Sequence, residues 1–114
     1  GERVIAQALD QLDSGAARRA ARRLAQVWSE GRLDELAAYE RWCECADTED
    51  ERAWLRRLND ARNPLLAERI ERLHARGHRV LAAVGALHMT GPQALTTLLA
   101  QRGFTVERLV SPAP

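Results

Sequence analysis

The sequence predicts an α/β fold, or an α+β fold, in which a helix-rich N-terminal part leads to a C-terminal β-α-β unit with parallel strands. Apolar residues recur at helical spacing over most of residues 1–77. Segments 79–84 and 105–110 have strand-like composition, and a leucine-rich helical segment separates them. A strand, a helix and a second strand in this order normally form a right-handed crossover between parallel strands. We therefore assign residues 78–110 to the β-α-β unit and residues 111–114 to a frayed tail.

The N-terminal helices follow from the apolar spacing and from the residues that interrupt it. Residues 2–12 carry an apolar stripe that ends at an Asp-Ser-Gly turn, and residues 16–29 carry a second stripe with four arginines on the opposite side. We interpret these arginines as a solvated helix face, and phosphate binding is the alternative. After Gly31, residues 33–42 continue the helical pattern. The sequence thus predicts three helices in this part.

An acidic segment precedes the next predicted helix. Residues 44–51 contain five carboxylates, which could bind a cation. However, Thr48 followed three residues later by Glu51 is the pattern of a capping box, and acidic side chains stabilise the first turn of a helix. We therefore interpret these acids as the start of a helix that reaches about Asp60.

A further helix is predicted from Pro64 to Arg76. Asn63 is a good N-cap residue, Pro64 suits the first helical position, and Gly77 suits the left-handed residue that ends a helix. Capping alone would explain Asn63. It would not explain Arg62, which precedes it.

A histidine follows the first predicted strand. Residues 80–84 are apolar throughout, which is typical of a strand covered on both faces, and Gly85 ends the run. His88 lies three residues later, in the loop before a helix predicted from Pro92 to Arg102. Ligands of open parallel sheets bind beyond the carboxyl ends of the strands. His88 is therefore a candidate for chemistry, and the alternative is that it only holds the loop by hydrogen bonding.

The composition is that of one modest domain. The chain has 114 residues, and 17 basic residues against 16 acidic ones give a net charge of +1. This balance provides no overall field that would favour nucleic acid or an anionic membrane. No apolar run approaches the roughly 18 residues that a membrane span needs. We therefore expect no nucleic-acid partner and no membrane span in this chain.

The two cysteines, Cys43 and Cys45, stand one residue apart. A disulfide across so short a loop would be strained, and two thiolates alone do not make a closed zinc site. We favour free or structural thiols. An oxidised pair in an envelope compartment is the first alternative, and metal binding is the second.

The block VGALHMTGP at residues 84–92 resembles the TraB/PrgY/GumN family, to which the TIKI metalloproteases that act on Wnt proteins are related. That family carries a Gly-x-x-His motif twice, and the element that ends in His88 looks like the second copy. Arg62 and Asn63 are similar to an Arg-Asn pair near the family's presumed active site. The resemblance extends over about residues 20–110, and we find no first copy of the motif.

The resemblance implies that the chain is the C-terminal part of a metal-dependent peptidase from the bacterial periplasm or cell envelope. His88 would ligate a divalent metal of the manganese or cobalt type, and Arg62 and Asn63 would orient or polarise a peptide or protein substrate. A catalytic metal needs about three protein ligands. The resemblance places the others in an absent N-terminal half, so we expect this fragment to be inactive and to bind no metal.

The same resemblance leaves two other functions open. The pheromone-shutdown members of the family suggest a protein that binds and sequesters a peptide without cutting it, and a purely structural module is the third possibility. Two strands do not make an independent sheet. We therefore expect a missing N-terminal half or a second copy of the chain to complete it.

Overall fold

The computed structural model describes residues 1–109, which form a series of helices joined by irregular segments. The α-helices in this range are α1 (Glu2–Asp13), α2 (Ala16–Ser29), α3 (Leu33–Ala37), α4 (Tyr39–Trp42), α5 (Glu49–Leu58), α6 (Asn63–Ala75) and α7 (Leu95–Gln101). Single turns of 3₁₀ helix lie at Asp60–Arg62 and Ala86–Met89. The helices predicted before Gly77 are therefore present, except that the single helix predicted over residues 33–42 is divided at Ala38 into α3 and α4.

The core lies where α2 meets the segment that follows α4. Ala20 of α2 packs against Cys43 and Ala46, and all three are buried. Larger side chains that are only partly buried surround this centre: Tyr39, Trp42, Cys45 and Leu55. Small residues at the contact let the α2 backbone approach the segment closely, which explains the alanine-rich face of that helix.

Cys43 and Cys45 form a disulfide. The structure therefore contains the oxidised pair that we gave as an alternative, and not the free thiols that we favoured. Glu44, between them, adopts a left-handed backbone with φ of 57°. The Arg19 guanidinium donates hydrogen bonds to both Glu44 carboxylate oxygens at 3.0 and 2.9 Å. These hydrogen bonds lower the pKa of Glu44 below its usual value.

The capping box that the sequence predicts is present at the start of α5. The Thr48 hydroxyl accepts a hydrogen bond from the Glu51 N–H at 3.2 Å, and the Glu51 carboxylate accepts from the Thr48 N–H at 3.0 Å. The same carboxylate accepts from the Asp47 N–H and from the Gln11 side chain of α1. Glu51 is thus buried, and both of its carboxylate oxygens accept hydrogen bonds. The acidic segment forms the start of α5.

The prediction of a C-terminal β-α-β unit with parallel strands is wrong for the residues that the structure describes. No strand forms between residues 1 and 109. Residues 79–84 are irregular, and Leu81 is 95% exposed. Leu109, in the second segment, is 88% exposed. A strand needs a neighbour for its backbone and cover for its apolar face, and these segments have neither.

The boundaries of the last helix also differ from the prediction. The helix expected from Pro92 to Arg102 is α7, which runs only from Leu95 to Gln101. Gly91 has φ of +83° and its carbonyl accepts from the Ala94 N–H at 3.1 Å, so a turn occupies the positions before the helix. Val110 of the second predicted strand and the predicted tail at 111–114 lie outside the described residues.

Two global properties bear on function. Among residues 1–109, none of the helices combines the length and the apolar character that crossing a bilayer requires. The described chain is also flat, with extents of 49 × 39 × 19 Å and a radius of gyration of 16.0 Å. A compact domain of this length has a radius of gyration of about 13 Å. The helices therefore lie spread out and do not enclose one deep core.

Candidate functional site

The structure brings Asn63 and His88 together although 25 residues separate them. Asn63 begins α6 and is fully buried, and His88 lies in the 3₁₀ turn Ala86–Met89 and is 8% exposed. The distance between Asn63 Oδ1 and His88 Nδ1 is 2.7 Å, which is a short, well-formed hydrogen bond. Two of the three predicted site residues therefore form one buried pair.

The surrounding hydrogen bonds determine which ring nitrogen carries the proton. Asn63 Nδ2 donates to the carbonyl oxygen of Gln93 at 2.8 Å and to that of His88 at 3.3 Å. Both partners accept only, so the amide nitrogen must face them and Oδ1 must face the imidazole. Because Oδ1 can only accept, Nδ1 of His88 is the protonated nitrogen. In the neutral ring, Nε2 then keeps its lone pair for a metal or a proton.

The Gly-x-x-His element closes this turn through its backbone. The His88 N–H donates to the Gly85 carbonyl at 3.0 Å, which places the imidazole on the inner side of the loop, against α6. Gly85 has φ of −62°, a conformation that any residue adopts. A Cβ atom at this position would meet His88 Cδ2 at 3.9 Å, an ordinary contact. The turn itself therefore does not require glycine at position 85.

Arg62, the third predicted site residue, is adjacent to Asn63 in sequence but lies on the surface. It ends the 3₁₀ turn Asp60–Arg62 and occupies the N-cap position of α6. Asn63 is therefore not the N-cap that the sequence predicts. Its side chain hydrogen-bonds instead to His88 and Gln93. Within residues 1–109, no hydrogen bond joins the Arg62 side chain to His88 or Asn63.

A cleft of about 150 Å³ lies beside the loop that carries His88. Its walls come from α3, α4, the end of α5 with the following 3₁₀ turn, and the loop from Leu87 to Pro92. Tyr39, Glu40 and Asp60 are among the lining residues, and we call this feature the Asp60 cleft. Burial raises the pKa of Tyr39 above its usual value.

Sequence reasoning missed the cleft and the Gln93 carbonyl. The lining residues come from four separate segments, and none of them belongs to a short motif. A larger hollow of about 410 Å³ lies between α1 and α5, lined by charges of both signs that include Arg3 and Asp50. It does not border the loop of His88, so we do not assign the candidate site to it.

The residues present fit a metal site only in part. His88 offers one nitrogen in the correct tautomer, held by a buried partner as metal-ligating histidines usually are. In the part of the chain that the structure describes, no three His, Cys, Asp or Glu side chains lie close enough together to hold an ion. A metal bound through His88 would therefore need further ligands from outside residues 1–109.

Comparison with known proteins gives one match. The model of the TraB/PrgY/gumN family matches residues 1–108, which is almost the whole chain. The comparison with curated proteins gave no match, and neither did the comparison with solved structures.

Proposed function

This chain belongs to the TraB/PrgY/gumN family, and we propose that it supplies one metal ligand, His88, to a metal-dependent peptidase. The observation that supports this proposal most is the 2.7 Å hydrogen bond between Asn63 Oδ1 and His88 Nδ1. It holds the ring in the tautomer whose Nε2 can bind a metal, as the outer hydrogen-bond partners of metal-ligating histidines do.

In this proposal, three residues of the chain have different tasks. His88 binds the metal, Asn63 positions His88, and Arg62 binds the substrate from the adjacent surface. The exposed guanidinium of Arg62 can donate to a peptide carbonyl or to a terminal carboxylate. A divalent metal of the manganese or cobalt type would act as a Lewis acid toward the peptide carbonyl. The remaining ligands would come from elsewhere, so residues 1–109 alone would be inactive.

Peptide cleavage by the complete protein that contains this chain tests the proposal. We expect His88→Ala to lower manganese- or cobalt-dependent cleavage by more than about 100-fold, since a lost ligand costs more than the 10- to 100-fold of a lost supporting residue. His78→Ala, which replaces an exposed histidine outside the site, is the matched control and should keep full activity. Mass spectrometry of the peptide measures cleavage directly.

Two outcomes would contradict the peptidase proposal. One is unchanged cleavage by His88→Ala. The other is capture of intact peptide by the wild-type protein with no cleavage products in the presence of either metal, which would instead indicate a sequestering protein.

A further inference from the structure

The Asp60 cleft contains a carboxylate without a partner. Asp60 is half-buried, and no hydrogen bond or ion pair within residues 1–109 uses its side chain. Every other buried or half-buried carboxylate in this range has a partner: Glu30, Glu35, Glu51, Glu68 and Glu71. The Asp60 oxygens are not among the buried unpaired polar atoms, so they stay accessible to a ligand that enters the cleft. Asp60 is therefore the half-buried carboxylate in this range that is available to pair with a cationic ligand.

The charges around the cleft favour a cation from outside the chain. The sequence contains 17 arginines, yet no arginine lines the cleft. Glu40 is exposed at its edge and adds a second negative charge. Two carboxylates with no base between them produce a negative potential that attracts a positively charged group.

The walls of the cleft suit a long aliphatic stem that ends in the positive charge. Leu36, Leu55 and Leu87 line it with apolar surface, and Tyr39 adds an aromatic ring. Lysine and arginine bury their methylene groups against such surfaces and place their charged ends on acids or aromatic faces. The volume of about 150 Å³ is below the 300–1,000 Å³ of typical small-molecule pockets. The cleft therefore has room for one side chain.

We propose that the Asp60 cleft binds an arginine or lysine side chain of a peptide. Leu87 and Thr90 flank His88 in sequence and line the cleft, so a basic residue bound there would lie beside the turn that carries the histidine. The charged end pairs with Asp60, and Glu40 attracts it at the entrance. The identification of this peptide as a substrate rests on the proposed function, whereas the preference for a basic side chain does not.

Titration of the chain with N-acetyl-L-argininamide, followed by NMR of its backbone amides, tests this proposal. We expect shifts at Leu87, Thr90 and Gly91, and binding at least about tenfold tighter than that of neutral N-acetyl-L-norleucinamide. Asp60→Asn keeps the shape and should weaken argininamide binding at least about tenfold. Asp13→Asn, at an exposed carboxylate on α1, is the matched control and should not change it.

Several results would overturn the proposal. They are equal binding of the two amides, shifts that map away from the cleft, and unchanged binding by Asp60→Asn. If Asp60→Asn fails to fold, Glu40→Gln at the exposed edge should still weaken binding by about threefold, and no weakening there contradicts the proposal. The titration uses no metal and measures no cleavage. A titration that shows no preference for argininamide therefore leaves the peptidase proposal intact. Likewise, an absence of metal-dependent cleavage leaves the titration result intact.

Discussion

At the scale of single residues, Asn63 holds the loop that carries His88 and Gln93, which follows the irregular residues 79–84. Its amide makes three hydrogen bonds, one to the His88 ring and two to the carbonyls of His88 and Gln93. Each of these groups would be costly to leave unpaired in a buried environment. The sequence pattern alone favoured a helix N-cap, because it could not reveal that the side chain points into the fold. Asn63 is therefore a positioning residue.

Replacement of Asn63 tests this positioning role. Asn63→Ala should destabilise the chain by about 2 kcal/mol or more, since buried carbonyls lose their donors, and should leave His88 in a mixture of ring tautomers. Asn63→Asp should also destabilise but keep Nδ1 protonated, because a carboxylate oxygen still accepts from it. Urea unfolding measures stability, and the ¹⁵N shifts of the His88 ring measure the tautomer.

The matched control is Gln26→Ala, which removes an exposed amide from α2 and should change neither quantity. A wild-type His88 ring protonated at Nε2 would contradict the assignment of the proton to Nδ1.

At the scale of elements, local signals predicted the start of α5 but not the start of α7, and they did not predict how segments pair. The capping box at Thr48 and Glu51 forms as the sequence predicts, because every group in it lies within a few residues. The strand prediction for residues 79–84 failed because a strand depends on partners that the local sequence does not specify. Residues 80–84 are all apolar, but nothing within the described residues covers Leu81.

Substitution of Thr48 tests how much the capping box contributes to the free energy of unfolding. Thr48→Ala should lower the free energy of unfolding by about 1 kcal/mol, because the Glu51 N–H loses its acceptor. Asp50→Asn, an exposed change in the same turn, should cost less than about 0.5 kcal/mol. Urea unfolding compares the two. An equal effect of both substitutions would show that helix-end charge, and not the cap, stabilises α5.

At the scale of the whole molecule, the described chain is thin and leaves large side chains in solvent. It measures 19 Å along its shortest axis, and Leu9, Trp28 and Leu81 are 57%, 66% and 95% exposed. Apolar surface left in water contributes nothing to folding. The stability of residues 1–109 must therefore come mainly from two small buried sets and from the cap and loop hydrogen bonds. One set lies around α2, and the other lies where α6 meets α7 and includes Ala67, Ala94 and Leu95.

A pair of leucine substitutions tests this distribution of stability. Leu36→Ala should lower the free energy of unfolding by about 2–5 kcal/mol, because Leu36 is only 4% exposed. Leu81→Ala should change the free energy of unfolding by less than about 0.5 kcal/mol, because Leu81 makes almost no buried contact. Thermal or urea unfolding of the chain measures both. A large loss for Leu81→Ala would mean that residues 79–84 are buried in solution, against the described fold.

The sequence by itself determined the helical character of the part before Gly77 and the capping box that starts α5, and it predicted Arg62, Asn63 and His88 as site residues. Those features depend on periodicity, on caps and on a motif, which act over short distances along the chain. Only the tertiary structure decided that residues 79–84 pair with no strand among residues 1–109, that Asn63 holds His88 instead of capping α6, and that Asp60 lines a cleft. These outcomes depend on contacts between residues far apart in the chain, and the pattern around each residue does not specify its distant partner.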